Sequence, residues 1–173
     1  MKRLFIAAMA VFAVCLSAAA QDLDAEYAKD LLRAGTDAPQ FTINDTDGNP
    51  HSLKDFRGSY VVLDFWATWC PDCRKDLPVM KALYEKYASD KVVFVGVSFD
   101  EKPDKLADFV AANDVKWLQV SEFKKWKGEK TLKISDDYHV RWIPSMYLID
   151  PSGKVVLGTV MTEKLESALK GIR

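Results

Sequence analysis

Apolar positions along this chain follow two rhythms. Val61, Val62, Leu63 and Phe65 form a near-continuous apolar run, and Val92 to Phe99 form a second. Such runs mark strands buried on both faces. Between them Leu77, Met80, Leu83, Tyr84 and Tyr87 recur at three- and four-residue spacing, the stripe of a core-facing helix that starts near Cys70 and runs to about Ala88. Pro78 falls inside it and predicts a kink, because proline deletes one backbone donor and crowds the preceding turn. Another helix is predicted over Asp104 to Asn113. The order strand, helix, strand, helix calls for a parallel crossover with both sheet faces covered.

The flanks carry shorter elements. Asp24 to Arg33 predicts a helix with Ala25, Ala28, Leu31 and Leu32 on its apolar side and Gly35 as its stop. Phe41 and Ile43 then alternate with polar residues, Asp45 to Pro50 supplies a turn, and His51 to Leu53 returns, which reads as a hairpin. That acidic turn lacks the glycine placement and closing glutamate of a calcium loop. Trp117, Leu118 and Val120 predict a short third strand. Glu122 to Lys133 is lysine-rich but contains Glu122 and Glu129, so it reads as a solvated face anchored by Trp126. A helix over Thr131 to Val140 leads to Ile143-Pro144. Ser145 to Ile149, the turn Asp150 to Gly153 and Lys154 to Leu157 form a second hairpin, and Thr162 to Ile172 a last helix with Leu165, Ala168, Leu169 and Ile172 on one side.

The first twenty residues differ in kind. Lys2 and Arg3 precede an apolar stretch from Leu4 to Leu16 and then Ala18, Ala19 and Ala20, the pattern of a cleaved export signal rather than a spanning helix. Cleavage after Ala20 leaves 21–173 as one domain, of slightly acidic balance, with no general attraction to nucleic acid. Val14 stands where processing to a lipid-anchored Cys15 calls for a small residue, so a soluble, periplasmic or otherwise extracytoplasmic protein is the expectation. The 173 residues are 49% hydrophobic and 28% charged, which suits a real core and excludes both disorder and a multi-span membrane protein.

Candidate chemistry centres on Cys70 and Cys73, the cysteines that remain once Cys15 is removed. A strand delivers Cys70 to the start of a helix, where free amide N–H groups and the positive end of the helix dipole favour a thiolate. Pro71 fits the first helical turn, which needs no donor from it. Two intervening residues let both sulfurs meet within one turn. A zinc site would need further ligands, and His51 and His139 are the chain's two histidines. Covalent haem needs histidine directly after the second cysteine, where Arg74 stands. A purely structural disulfide closes too small a loop to gain much chain entropy. No cofactor is expected beyond the Cys70–Cys73 disulfide itself.

The chain resembles the thioredoxin superfamily, and within it the exported TlpA/ResA-like thiol-disulfide oxidoreductases related to AhpC/TSA. The resemblance is carried by Gly35 with Ala38 to Phe41, Asp47-Gly48, Gly58, the segment Asp64 to Cys73, Tyr138 to Pro144 and Leu148 to Gly153. It implies an α/β thioredoxin fold with a central mixed sheet flanked by helices, an amino-terminal extension and an insertion before a cis Ile143-Pro144 bond. It also implies that Trp69, Pro71, Asp72, Ile143 and Pro144 face the substrate, whose extended segment pairs with the backbone before Pro144.

The implied reaction is thiol-disulfide exchange with Cys70 as nucleophile and Cys73 as resolving thiol. Asp64 matches thioredoxin's buried acid, and Asp76 the position of a functional glutamate in ResA-like proteins. Both are candidate proton acceptors, and Asp64 is favoured because an aspartate on an apolar strand demands a reason. Asp72 places a negative charge beside the thiolate, which favours reduction over oxidation. The implied partners are exported protein disulfides, apocytochromes c among them, and a membrane thiol reductant of the DsbD/CcdA type. No partner surface points to an oligomer, so a monomer is expected. A thiol peroxidase and a non-catalytic peptide-binding module are the alternatives. Against the first, Val62 and Ala67 occupy the places where peroxiredoxin-like relatives carry a proline and a hydroxyl residue.

Overall fold

The computed structural model of the chain describes residues 22–126 and 133–172. The export-signal expectation for residues 1–20 lies outside them. The elements run α1 Leu23–Tyr27, β1 Thr42–Asn44, β2 Pro50–Ser52, a 3₁₀ turn Leu53–Phe56, β3 Tyr60–Trp66, α2 Pro71–Tyr87, β4 Val92–Ser98, α3 Pro103–Ala112, β5 Leu118–Val120, α4 Lys133–Asp137, β6 Ser145–Ile149, β7 Val155–Thr159 and α5 Thr162–Lys170. Strands β5-β4-β3-β6-β7 form one sheet, with β3, β4 and β5 parallel and β6 and β7 antiparallel to their neighbours. The chain therefore has the thioredoxin fold. β1 and β2 make the expected separate hairpin.

Period-two alternation splits the sheet's two faces. Val62, Met146 and Leu148 pack with Met80, Leu83, Leu165 and Leu169 of α2 and α5. Val61, Leu63 and Phe65 pack on the other face with Leu106 of α3 and Ile134 of α4. β3 lies between β4 and β6 and is covered on both sides, which is why its sequence is apolar almost throughout. α2 continues through Pro78 without ending there.

The amino-terminal helix is shorter than its pattern predicts. It stops at Tyr27 rather than Arg33, and the chain turns so that Leu31 is buried and the Leu32 N–H donates to the Tyr147 hydroxyl at 2.9 Å. Tertiary anchoring prevails because so short a helix gains little on its own. Asp22 caps α1, and the Asp24 carboxylate accepts from the Thr159 hydroxyl and the Val160 N–H, both at 2.8 Å, while pairing with Lys164. The extension is thus bound to β7 and α5. The helix expected over Thr131 to Val140 is likewise reduced to Lys133–Asp137 among the described residues.

Two tyrosines tie this extension to the core. Tyr147 donates to the Tyr138 carbonyl at 2.6 Å while accepting from Leu32, and Tyr138 donates to the Pro39 carbonyl at 2.8 Å. Tyr147→Phe keeps the ring but strands one buried donor and one acceptor. It is expected to lower unfolding free energy by about 1–3 kcal/mol, read as a lower urea midpoint at unchanged slope.

Candidate active site

The site begins where β3 runs out. Its last residue, Trp66, is buried and donates from Nε1 to Gln119 Oε1 at 2.9 Å. Gln119 reaches it by lying across Gly96 of β4, where any side chain would collide with the Gln119 amide. A side chain at Gly96 would displace the Gln119 amide from Trp66. The next turn is held from just beyond β4: Asp100, itself buried, accepts from the Thr68 N–H at 3.0 Å, the Thr68 hydroxyl at 2.6 Å and the Ser98 hydroxyl at 2.6 Å. These bonds fix the four residues between strand and helix.

Cys70 is the N-cap of α2, and Pro71 opens the helix. The Cys73 N–H donates to Cys70 Sγ at 3.1 Å, so an amide that has no partner within the helix is directed at the sulfur. In the reduced protein that bond and the helix dipole stabilise a Cys70 thiolate. Here the two cysteines form a disulfide, with Cα atoms 5.3 Å apart. Both are nearly covered, Cys70 at 4% and Cys73 at 5% exposure. Cys70 Sγ lies 3.7 Å from the Ile143 carbonyl oxygen, and the Ile143–Pro144 bond is cis.

The other proposed substrate-facing residues surround this point unequally. Trp69 is 52% exposed and leans on Trp126, with ring centroids 6.3 Å apart; Trp126 in turn packs on Phe99 at 5.0 Å. Pro71 and Asp72 are exposed, whereas Ile143 and Pro144 are buried. Asp72 borders an open groove whose other walls include Tyr27, Lys75, Asp76, Trp142 and Pro144. Tyr27 and Trp142 stack at 4.2 Å. The sequence gives no signal for that pair, because nothing local connects an amino-terminal helix to a residue beside Pro144.

Asp64 and Asp76 both border the cavity beneath Cys73. Period two places Asp64 on the α2 side of the sheet with Val62, and Asp76 sits one helical turn beyond Cys73 on the same helix face. The cavity is narrow, with room for about one water molecule, and Met80, Pro144 and Thr162 complete much of its wall. Asp64 is 6% exposed and makes no hydrogen bond or ion pair among the described residues. Burial, helped by the Asp76 charge, pushes its carboxyl up to about 7. Asp76 is half-buried and is also raised, by burial first, with Lys75 opposing and Glu163 and Asp72 adding to it. No group of side chains suited to a metal ion occurs among the described residues.

The model of the AhpC/TSA family matches residues 34–157. A relative named thiol-disulfide oxidoreductase ResA, from Bacillus cereus, is 35% identical over 147 residues, covering 83% of this chain and 81% of its own. Among solved structures, the thioredoxin domain of a thiol-disulfide oxidoreductase from Bacteroides vulgatus superimposes with a TM-score of 0.71 at 29% identity, covering 82% of this chain and 98% of that one. One from Chlorobium tepidum, described as a thiol:disulfide interchange protein DsbE, gives a TM-score of 0.69 at 32% identity and covers 81% and 97%.

The raised Asp64 carboxyl links folding to pH. The native state holds its proton up to about 7 and the unfolded chain only to about 3.8, so stability falls as pH rises between those values and levels off above. Asp64→Asn removes this penalty. The oxidised variant is expected to match wild type near pH 4 and to exceed it by up to about 4 kcal/mol at pH 8, measured by urea unfolding across the range. A difference that does not change with pH would refute the assignment.

Proposed function

The chain belongs to the AhpC/TSA family and is a thiol-disulfide oxidoreductase, and from that premise we propose that it reduces disulfides of exported proteins through a Cys70–Cys73 dithiol/disulfide cycle. The observation that carries the reading is the Cys73 N–H bonded to Cys70 Sγ at the N-cap of α2, with Cys73 facing a cavity that two acids share. This supports unequal roles for the two sulfurs.

The Cys70 thiolate attacks one sulfur of a substrate disulfide. A mixed disulfide forms and the other substrate sulfur leaves as a thiolate. Asp64 then takes the Cys73 proton, and the Cys73 thiolate attacks Cys70 Sγ. The Cys70–Cys73 bond forms, the mixed disulfide breaks, and the second substrate sulfur departs reduced; the two electrons have come from the enzyme's thiols. A dithiol of the DsbD/CcdA type returns them in the reverse sense. The substrate segment runs along Ile143 and Pro144, between Trp69 and the Pro71-Asp72 edge, in reach of the Ile143 backbone. Exported chains with mispaired cysteines, apocytochromes c included, fit that requirement. Residues 1–20 serve as the export signal and place the domain, 21–173, outside the cytoplasm, soluble after cleavage. No helix among the described residues is long and apolar enough to cross a membrane.

Reduction of insulin disulfides in the presence of a dithiol donor is the direct assay. Cys70→Ser is expected to abolish it, Cys73→Ala to accumulate a covalent substrate adduct, and neither wild type nor variants to consume hydrogen peroxide. Peroxide turnover without insulin reduction would overturn the proposal in favour of a peroxidase.

Asp72 sets the direction. Its carboxylate adjoins the nascent thiolate, disfavours a second negative charge and so holds the dithiol reducing. Asp72→His is expected to raise the reduction potential by roughly 30 mV or more, a decade in the exchange equilibrium, read by equilibration against glutathione; an unchanged or lower potential would refute it.

A further inference from the structure

The open groove beside Asp72 has one wall that the sulfur chemistry does not use. Tyr27, the last residue of α1, stacks on Trp142 with ring centroids 4.2 Å apart, and both line the groove with Leu23, Val160 and Pro144. A five-residue helix gains too little by itself to hold a ring in place. Here α1 is fastened through Asp24 to Thr159, Val160 and Lys164, which sets the ring beside the site. Trp142 remains 37% exposed despite the stack. The groove, of about 350 Å³, adjoins the proposed substrate path, because Pro144 belongs to both and the Ile143 carbonyl oxygen lies 3.7 Å from Cys70 Sγ.

The charges of this groove are unbalanced. Asp72 and Asp76 stand in its wall against a single ammonium, that of Lys75. Glu26 faces the Tyr27 hydroxyl and raises it, with burial and the Asp72 charge adding, and Glu163 faces Asp76 from α5. Apolar and aromatic walls suit an aliphatic stem, while the carboxylates and the two rings suit a cationic head. An acidic side chain would meet like charges. Successive residues of an extended segment advance by about 3.3 Å, so a neighbour of the cysteine held at Cys70 falls beside Asp72. We propose that Tyr27 is a specificity-determining residue of this site: with Trp142 it forms the wall against which a basic side chain, lysine or arginine, packs when it lies one or two positions from the substrate cysteine. This rests on the reading of the chain as a disulfide reductase. Cys70 and Cys73 still break and form every sulfur bond; the amino-terminal extension reads the residue next to the one they attack.

The test uses the reduced full chain and acetylated, amidated peptides that carry one cysteine as its nitropyridyl disulfide. The peptides differ only in the residues beside that cysteine, which are lysine, alanine or glutamate. Attack by Cys70 on the peptide sulfur releases the coloured nitropyridyl thiolate, and Cys73 then frees the peptide thiol. Each rate is divided by that of the same peptide with dithiothreitol, which removes the effect of a neighbouring charge on the disulfide itself. The corrected second-order rate is expected to be about tenfold higher for lysine than for alanine, and lowest for glutamate. The difference is expected in the half-saturating concentration rather than in the limiting rate. Tyr27→Phe is expected to keep the lysine-to-alanine ratio, and Tyr27→Ala to bring it within about twofold of unity. Equal rates for the lysine and alanine peptides in the wild type would overturn the proposal without any variant. So would a Tyr27→Ala chain that slows all three peptides by one factor, the mark of a loosened extension, or one that keeps the lysine preference, which would assign it to the carboxylates alone. Failure of the wild type to release thiolate from any of the three would instead refute the thiol-exchange reading, and the two failures are therefore distinct.

Discussion

A strand covered on both faces has nowhere to put a carboxylate, and that constraint organises this molecule. Asp64 is accommodated because β3 ends two residues later and α2 begins within one turn of chain, leaving a space beneath Cys73. The space is too small for bulk solvent, so the acid holds its proton far above the ordinary range. Filling it with an apolar side chain would suit the core better. What the arrangement leaves there is a carboxyl raised to about 7 that lines the same cavity as Cys73.

The β3–α2 junction is held from β5 and from the end of β4. Asp100 gathers the Thr68 backbone and hydroxyl, Ser98 braces Asp100, and Gln119 crosses Gly96 to hold Trp66. The helix start is thus fixed before either cysteine takes part. On the opposite side the amino-terminal extension is a structural part of the site, since Tyr27 stacks on Trp142 and Asp24 is fastened to β7.

Much of this was legible in the chain. Continuous apolar runs located β3 and β4, the three- and four-residue stripe located α2, and Pro71 after Cys70 marked its first turn. The turn residues placed both hairpins. What failed did so for physical reasons: the helix expected to reach Arg33 gives way at Tyr27 because Leu31 and the Leu32 N–H gain more from distant partners than from another turn. The bonds that hold the junction were missed because Thr68 and Asp100, or Trp66 and Gln119, are joined only through the sheet. Gly96 in an otherwise apolar strand was the one local sign of such an approach. Between Asp64 and Asp76 the sequence favoured Asp64, as an aspartate on an apolar strand; the fold places Asp64 deeper and Asp76 half-buried.

The cover over the disulfide has a consequence for which thiols can reach it. With Cys70 and Cys73 almost wholly occluded, a small free thiol has little sulfur to strike along the line of the bond. Exchange depends on access as well as potential. Access to the buried pair therefore selects among reacting thiols as well as potential does.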